Sequence, residues 1–334
     1  MSEIKSPDNQ SYFESRKFEQ VLEHGKNCKK RRKIVGAFLY EDTTTLIFSR
    51  TNYGKSLLVF QFAYAAATGS SFDPCEALCN ECEPMKVLVV DLELDSRVLW
   101  ERHGAVLNDK NPYLQNLYYL HEKADKRMMI GFELLDKIEQ AAIEHGAKLV
   151  IIDNISKLLP DALKPDTATM VIAMLNRIRI NTGASILVIG HTTKGNPRVC
   201  IQPTDYYGSA MLQNFFNELS FLDATKDGNF FLCHSKTKHK ECFNQTVPVF
   251  SRGEHNRVGV GFTFCNLQNL IDIQLPMMLI ANKDGRIRNL SHFRDFINIL
   301  INAGKSQKEI ADFAGVSRQA IGYLLHSPSS ASLT

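Results

Sequence analysis

The sequence predicts an α/β protein: a doubly wound, mostly parallel sheet, followed by a small all-α unit with helix-turn-helix character. Two observations carry the first half. Short β-branched apolar runs recur from Ile34 onward, and amphipathic stretches of helical period separate them. The runs are Leu46 to Phe48, Val87 to Leu92, Leu149 to Asp153 and Ile186 to Gly190. Unbroken runs of this kind suit strands buried on both faces, as in a parallel sheet covered by helices. The intervening segments Ser56 to Thr68, Ser96 to Leu107, Gly131 to His145 and Thr167 to Asn181 read as helices. A third observation, the pattern in Ser306 to Leu325, carries the second half.

Flanking segments complete the organisation. Residues 1–33 read as a polar helical leader, with Tyr12, Phe13, Phe18 and Val21 on one face and a basic run at Lys29 to Lys33. That run reads either as a solvated linker or as a contact to a phosphate backbone. After Asn217 come two strand-like runs joined by the turn Lys226 to Gly228, a hairpin, and a further strand pair is expected around Val258 to Phe264. The expected divisions are a leader (1–33), a core (34–275), a linker (276–289), the helical unit (290–327) and a disordered tail (328–334).

Composition excludes more than it assigns. With 334 residues, 44% hydrophobic and 22% charged, the chain is of ordinary globular type. Its net charge of +3 is too small to argue for nucleic acid by itself. No apolar run nears the roughly 20 residues of a membrane span, and MSEIKSPDNQ lacks the apolar stretch of a secretory signal. A cytoplasmic protein without membrane contact is expected. Of eight cysteines only Cys75, Cys79 and Cys82 cluster. Their spacing matches a radical-SAM triplet and offers a zinc three ligands, one short of a structural site. Free thiols in a surface loop are the expected state.

The chemistry-bearing motif is SRTNYGKS, Ser49 to Ser56, between a strand and a helix, the context a phosphate-binding loop requires. Backbone N–H groups of Arg50, Thr51, Asn52, Tyr53 and Gly54 can wrap the phosphates of ATP at the helix N-terminus. Lys55 is placed to reach the β- and γ-phosphates, and the Ser56 hydroxyl to ligate Mg2+. Ser49 stands where the usual pattern has glycine. Asp153 closes a buried strand, where an acid can hold the magnesium shell; a helix cap is the other reading. Asp91 and Glu93 end the strand before it, and Glu93 fits better as the base that polarises water. His191 closes a further strand, in position to sense a γ-phosphate. The long polar segment Thr192 to Tyr207 follows, with Lys194 and Arg198.

In this order, the pieces resemble the RecA-like ATPases, and more narrowly the RepA-type hexameric helicases of the AAA-25-like group, over Gly36 to Phe264. In that branch a glutamate in the second-strand motif is catalytic and an arginine follows; DLELDSRVLWER is similar, which implies Glu93 paired with Arg102. Gly208 to Leu222 resembles the helix after the family's DNA-facing loop, so single-stranded DNA is the implied partner of Lys194 and Arg198. The family's late basic pair reaches the neighbouring subunit's ATP. Lys236 and Lys238 stand there, with Lys240 beyond, although a lysine in the second place lacks the arginine fork. A homo-oligomer, a hexamer by resemblance, is implied.

The pattern after Lys305 resembles bacterial DNA-binding helix-turn-helix modules. Ile310, Ala311, Val316, Ile321 and Leu324 occupy its apolar positions, Gly315 its turn, and Ser291 to Ala303 a preceding helix. Ser317, Arg318, Gln319 and Tyr323 then face duplex DNA; a helical hairpin used for packing is the plainer reading. The implied function is a DNA-associated ATPase in replication, transfer or recombination of a mobile element. An ATP-switched regulator or loader without helicase activity is the alternative, and a RadA-like recombination accessory a third.

Overall fold

The computed structural model describes residues 14–72, 78–121, 130–158, 165–192, 201, 205–206, 210–237, 246–255, 257–270, 272–273, 297–298, 300–302, 304–314 and 317–326. Helix α1 (Phe18–Asn27) opens the described chain with no buried residue, and its Phe18, Val21 and Leu22 lie exposed. Tyr12 and Phe13 fall outside the described residues. A two-stranded ribbon follows, β1 (Lys33–Val35) against β2 (Leu39–Tyr40). The apolar periodicity did not announce it, because both strands are very short.

The main sheet begins with β3 (Thr44–Ser49), β4 (Val87–Asp91), β5 (Leu117–Leu120), β6 (Leu149–Asp153) and β7 (Ser185–His191). It continues with β8 (Glu218–Ala224), β9 (Phe230–Thr237), β10 (Thr246–His255) and β11 (Gly259–Asn269). The nine strands lie in the order β11-β10-β9-β8-β3-β7-β6-β4-β5. From β8 to β5 every neighbouring pair is parallel; β9, β10 and β11 add an antiparallel edge. Residues of β3, β4 and β6 are buried throughout, the result their apolar runs predict. The fold is the expected mostly parallel, RecA-like one.

Helices α2 (Lys55–Thr68), α3 (Ser96–His103), α4 (Gly131–His145) and α5 (Pro165–Thr182) alternate with the strands, and α6 (Ala210–Phe215) precedes β8. In α2 every residue but Ser56 is buried, so this helix is apolar around its circumference and belongs to the core. It separates into contacts on one sheet face with Ile47, Val89, Ile151 and Leu187, while Leu135, Ile138, Val171 and Leu175 of α4 and α5 cover the other with Leu88, Val150 and Val188. Gln61 locks α2 to β11: its amide donates to Phe262 O (2.8 Å) and accepts from Phe262 N (2.7 Å).

Three expectations change in detail. Helix α3 stops at His103 and continues as a 3-10 turn to Asn108. The strand pair expected around Val258 to Phe264 is the longer hairpin β10–β11, with Val258 in its turn rather than its strand. Cys82 is buried, with its thiol pushed up to about 11 by burial; its place is beside the ribbon, donating to Lys33 O (3.5 Å), not in a surface loop. Cys79 is also a free thiol, Cys75 lies outside the described residues, and no metal-holding cluster occurs among those described. The predicted linker 276–289 and tail 328–334 lie outside them too.

Near the C-terminus, helical residues 297–298 and 300–302 pack with α7 (Gln307–Ala314) and α8 (Arg318–His326). Ile297, Leu300, Ile310, Ala311 and Ile321 form a small core of their own. A capping box starts α7: Ser306 Oγ accepts from Glu309 N (3.2 Å), while Glu309 Oε2 accepts from Ser306 N (2.8 Å). Gly315 and Val316 lie outside the described residues. Among the described residues no helix is long and apolar enough to cross a membrane.

Candidate active site

The loop between β3 and α2 is shaped by two residues with positive φ. Asn52 has φ 67° and Gly54 φ 89°; asparagine tolerates that region better than most side chains, and glycine enters it freely. Gly54 is also required for space, since a Cβ there would lie 2.7 Å from the Phe262 ring. Arg252 braces the loop, donating to Asn52 O (2.8 Å) with its guanidinium 4.8 Å above the Phe230 ring. Ser49 is buried, and its hydroxyl donates to Arg50 O (3.2 Å). Thr51 is exposed and Tyr53 half-buried against Phe230. The backbone amides from Arg50 to Gly54 thus precede the N-terminus of α2.

Lys55 is buried, and its ammonium donates to the carbonyls of Ser49 (3.1 Å) and Arg50 (2.8 Å). Burial pulls it down to about 8, against the pull of the Asp153 and Glu93 carboxylates. Asp153, at the C-terminal end of β6, is buried and pushed up to about 6 by burial; a hydrogen bond from Ser56 opposes the shift. An ammonium and a carboxyl both held away from their ordinary values mark a place built to receive further charge. The donor set fits a magnesium nucleotide. Ser56 and Asp153 offer two hard oxygens, enough for an ion that keeps several waters, and Lys55 with the α2 amides suits phosphates.

Next to them stand the ends of β4 and β7. Asp91 Oδ1 accepts from Glu93 N (3.0 Å) and Leu94 N (2.9 Å), which occupies that carboxylate in shaping the turn. Glu93 projects beyond it with its side chain 44% exposed, so it alone of the two can meet solvent water. Its carboxylate accepts from the Asn154 amide and lies 3.8 Å from His191 Nε2. The contact with His191, first, and the Asn154 amide hold Glu93 below its ordinary range. The expected partnership of Glu93 with Arg102 does not form among the described residues; the turn directs Glu93 across the strand ends to β6 and β7 instead.

Lys55, Ser56, Asp153, Glu93 and His191 therefore come together at one edge of the sheet. Two members were missed in sequence. Asn154 directly follows Asp153 and reads as a loop residue. Arg50, named only for its backbone, inserts its guanidinium against Asp223 of β8 (2.7 Å), whose side chain is fully buried. Asp223 also accepts from Ile201 N (2.7 Å), tying the phosphate loop to the segment after β7. An aspartate at the end of a predicted strand was the available signal. Lys236 is placed on β9 with its ammonium on the carbonyls of Gln213 (2.8 Å) and Asn214 (3.0 Å), at the end of α6 in its own chain. Lys194, Arg198, Lys238 and Lys240 lie outside the described residues. Ser317, Arg318, Gln319 and Tyr323 are exposed on or beside α8, and the first three line a recess with Gln307 and Gly322.

A phosphate loop at the C-terminal edge of such a sheet, backed by a buried acid on a neighbouring strand, defines a P-loop ATPase of RecA-like fold. A sequence model of the AAA domain family AAA_25 matches residues 14–197, more than half of the chain, and the chain belongs to that family. Among solved structures it is similar to a KaiC-like protein from the hyperthermophilic archaeon Pyrococcus horikoshii OT3, at 16% identity and a TM-score of 0.49, covering 70% of this chain and 99% of that one. No curated protein sequence matches it.

Proposed function

We propose that this ATPase is an oligomeric, DNA-associated motor of the RepA-like helicase type, acting in replication, transfer or recombination of a mobile element. The observation that carries the reading is the pairing of two features on one chain. A hydrolytic edge presents Glu93 to water beside Lys55, and a separate small helical core leaves Arg318, Gln319 and Tyr323 exposed on one helix.

At the first, Lys55 and the α2 amides bind the ATP phosphates, while Ser56 and Asp153 hold Mg2+. Held there by Ser56 and Asp153, Mg2+ would supply neutralisation of the charge that develops on the phosphates. Glu93 orients water and takes its proton; His191 reads the γ-phosphate from the end of β7. Lys236, Lys238 and Lys240 are the candidates for reaching a neighbouring subunit's nucleotide. For Lys236 this requires exchanging its present carbonyl partners for phosphate. Lys194 and Arg198 contact single-stranded DNA, and Ser317, Arg318, Gln319 and Tyr323 contact a duplex groove.

The test uses the full chain. ATP turnover is measured with and without single-stranded DNA, beside strand separation and duplex binding. Stimulated turnover with unwinding supports the motor. Duplex binding that requires ATP, without stimulation or unwinding, replaces it with the switched regulator or loader. Arg318→Ala is expected to weaken duplex binding by about 1–3 kcal/mol if it reads a base edge, with turnover unchanged; unchanged duplex binding removes α8 from the interface.

A further inference from the structure

The Asn154 side chain uses its whole hydrogen-bonding capacity. Its Oδ1 accepts from Ser156 N (2.9 Å) and from Ser156 Oγ. Its Nδ2 meets two acceptors, Glu93 Oε1 and His191 Nε2, the latter at 3.0 Å. An amide has two acceptor lone pairs and two donor hydrogens, and each has a partner here. The network also settles which end is which: reversing the amide would set its oxygen against a carboxylate and its nitrogen against two donors. Asn154 is 1% exposed, so its geometry is held by the fold rather than by solvent. His191 Nε2 accepts from Asn154 only in a ring that carries no proton there; Nδ1 is buried and has no partner among the described residues.

We infer that Asn154 is a positioning residue that spans the ends of β4, β6 and β7, holding Glu93 and His191 in one fixed arrangement through its two N–H groups. Glu93 is thereby oriented by the same group that orients His191, so a displacement of His191 is transmitted to Glu93 through the amide in addition to their own 3.8 Å approach. The inference rests on the reading of Glu93 as the hydrolytic base. A plainer role exists, since Asn154 caps the 3-10 turn Ile155–Lys157 through Ser156 N. The two roles use opposite ends of the amide and are therefore separable.

Asn154→Asp and Asn154→Ser, in the full chain, separate them. Asparagine, aspartate and serine are comparable caps, but they offer two, one and no side-chain hydrogens in the order Asn, Ser, Asp. Thermal melting, the Kd for a fluorescent ATP analogue and kcat, with and without single-stranded DNA, are measured for each. The expected result is Kd within about threefold of wild type and kcat falling in the order Asn, Ser, Asp, by at least about tenfold for Asp. A capping role alone predicts equal kcat for all three, and that result overturns the inference. Should Asn154→Asp fail to fold, Asn154→Ser decides on the same criterion. Glu93→Gln, run beside them, tests the underlying reading: normal hydrolysis there removes the base assignment, whereas its loss beside unchanged Asn154 variants removes only the role given to Asn154.

Discussion

The buried charges at the C-terminal edge of the parallel sheet and the ion pairs at its N-terminal edge are held in opposite ways. At the C-terminal edge, Lys55, Asp153 and Asp223 are buried, and burial shifts each toward its neutral form. At the N-terminal edge, Arg32 grips Glu41 in a two-pronged pair (2.7 and 2.9 Å), and Arg31 and Arg179 both reach Asp42. Those groups stay partly in water. Glu41 is held below its ordinary range by Arg32, the sign of a charge that is comfortable as a charge. An opening of about 1020 Å³, lined by Lys29 to Arg32, Glu41, Asp42 and Lys148, lies at this second edge. Lys55 and Asp153, buried and held against their charged preference, mark the C-terminal edge as the candidate for chemistry.

The largest effect expected from that contrast is at Lys55. Lys55→Ala removes the buried cation facing the phosphates and is expected to abolish measurable ATP hydrolysis. Turnover within about tenfold of wild type would show that the C-terminal edge is not the catalytic one.

Arg50 tests burial separately from chemistry. Arg50→Ala leaves the Asp223 carboxylate buried and without its guanidinium, a change expected to cost about 3–5 kcal/mol in chemical denaturation. Adding Asp223→Asn should return part of that loss, because the uncompensated charge is then gone. If the single and double variants lose equal stability, the pair is not acting as a charge pair.

Asp153 supplies a pH test with a definite sign. Its ordinary carboxyl value is 3.8 and its folded value about 6. Between those values the folded chain holds a proton that the unfolded chain has released. Stability contributed by the protonated form is therefore full below about pH 4 and lost as pH rises to about 6. Against wild type without nucleotide, Asp153→Asn should lose this slope and gain of order 1–3 kcal/mol above pH 6. Parallel stability–pH curves for the two proteins would mean that Asp153 is not held out of its ordinary range.

Which parts of this were legible in sequence follows from the same physics. Strands β3, β4, β6 and β7 are buried on both faces, so unbroken apolar runs announce them. Edge strand β5, LYYL, is half-buried throughout and carries no β-branched run. Strand β10 interrupts its pattern with Pro248 and ends in exposed Ser251, Arg252, Gly253 and Glu254. Neither is visible to a rule that looks for burial. The phosphate loop was legible because its residues are consecutive. Asn154 was not, because its role is defined by Glu93 and His191, 61 and 37 residues away. Arg50 and Asp223, 173 residues apart, are hidden for the same reason.

The smallest expected effect belongs to the N-terminal edge and completes the contrast. Arg31 lies 3.2 Å from Asp42, but both side chains are about half exposed, at 45% and 54%. In such surroundings water replaces much of what the pair provides, and Asp42 keeps Arg179 as a second cation. Arg31→Ala should therefore change stability by at most about 1 kcal/mol, with the difference shrinking as salt is added. Turnover should not change, since the sheet separates this edge from Lys55 and Glu93. A loss comparable to that of Arg50→Ala, or a fall in hydrolysis without unfolding, would show that charge at the N-terminal edge is coupled to the site, and that exposure is a poor guide to which ion pairs matter in this fold.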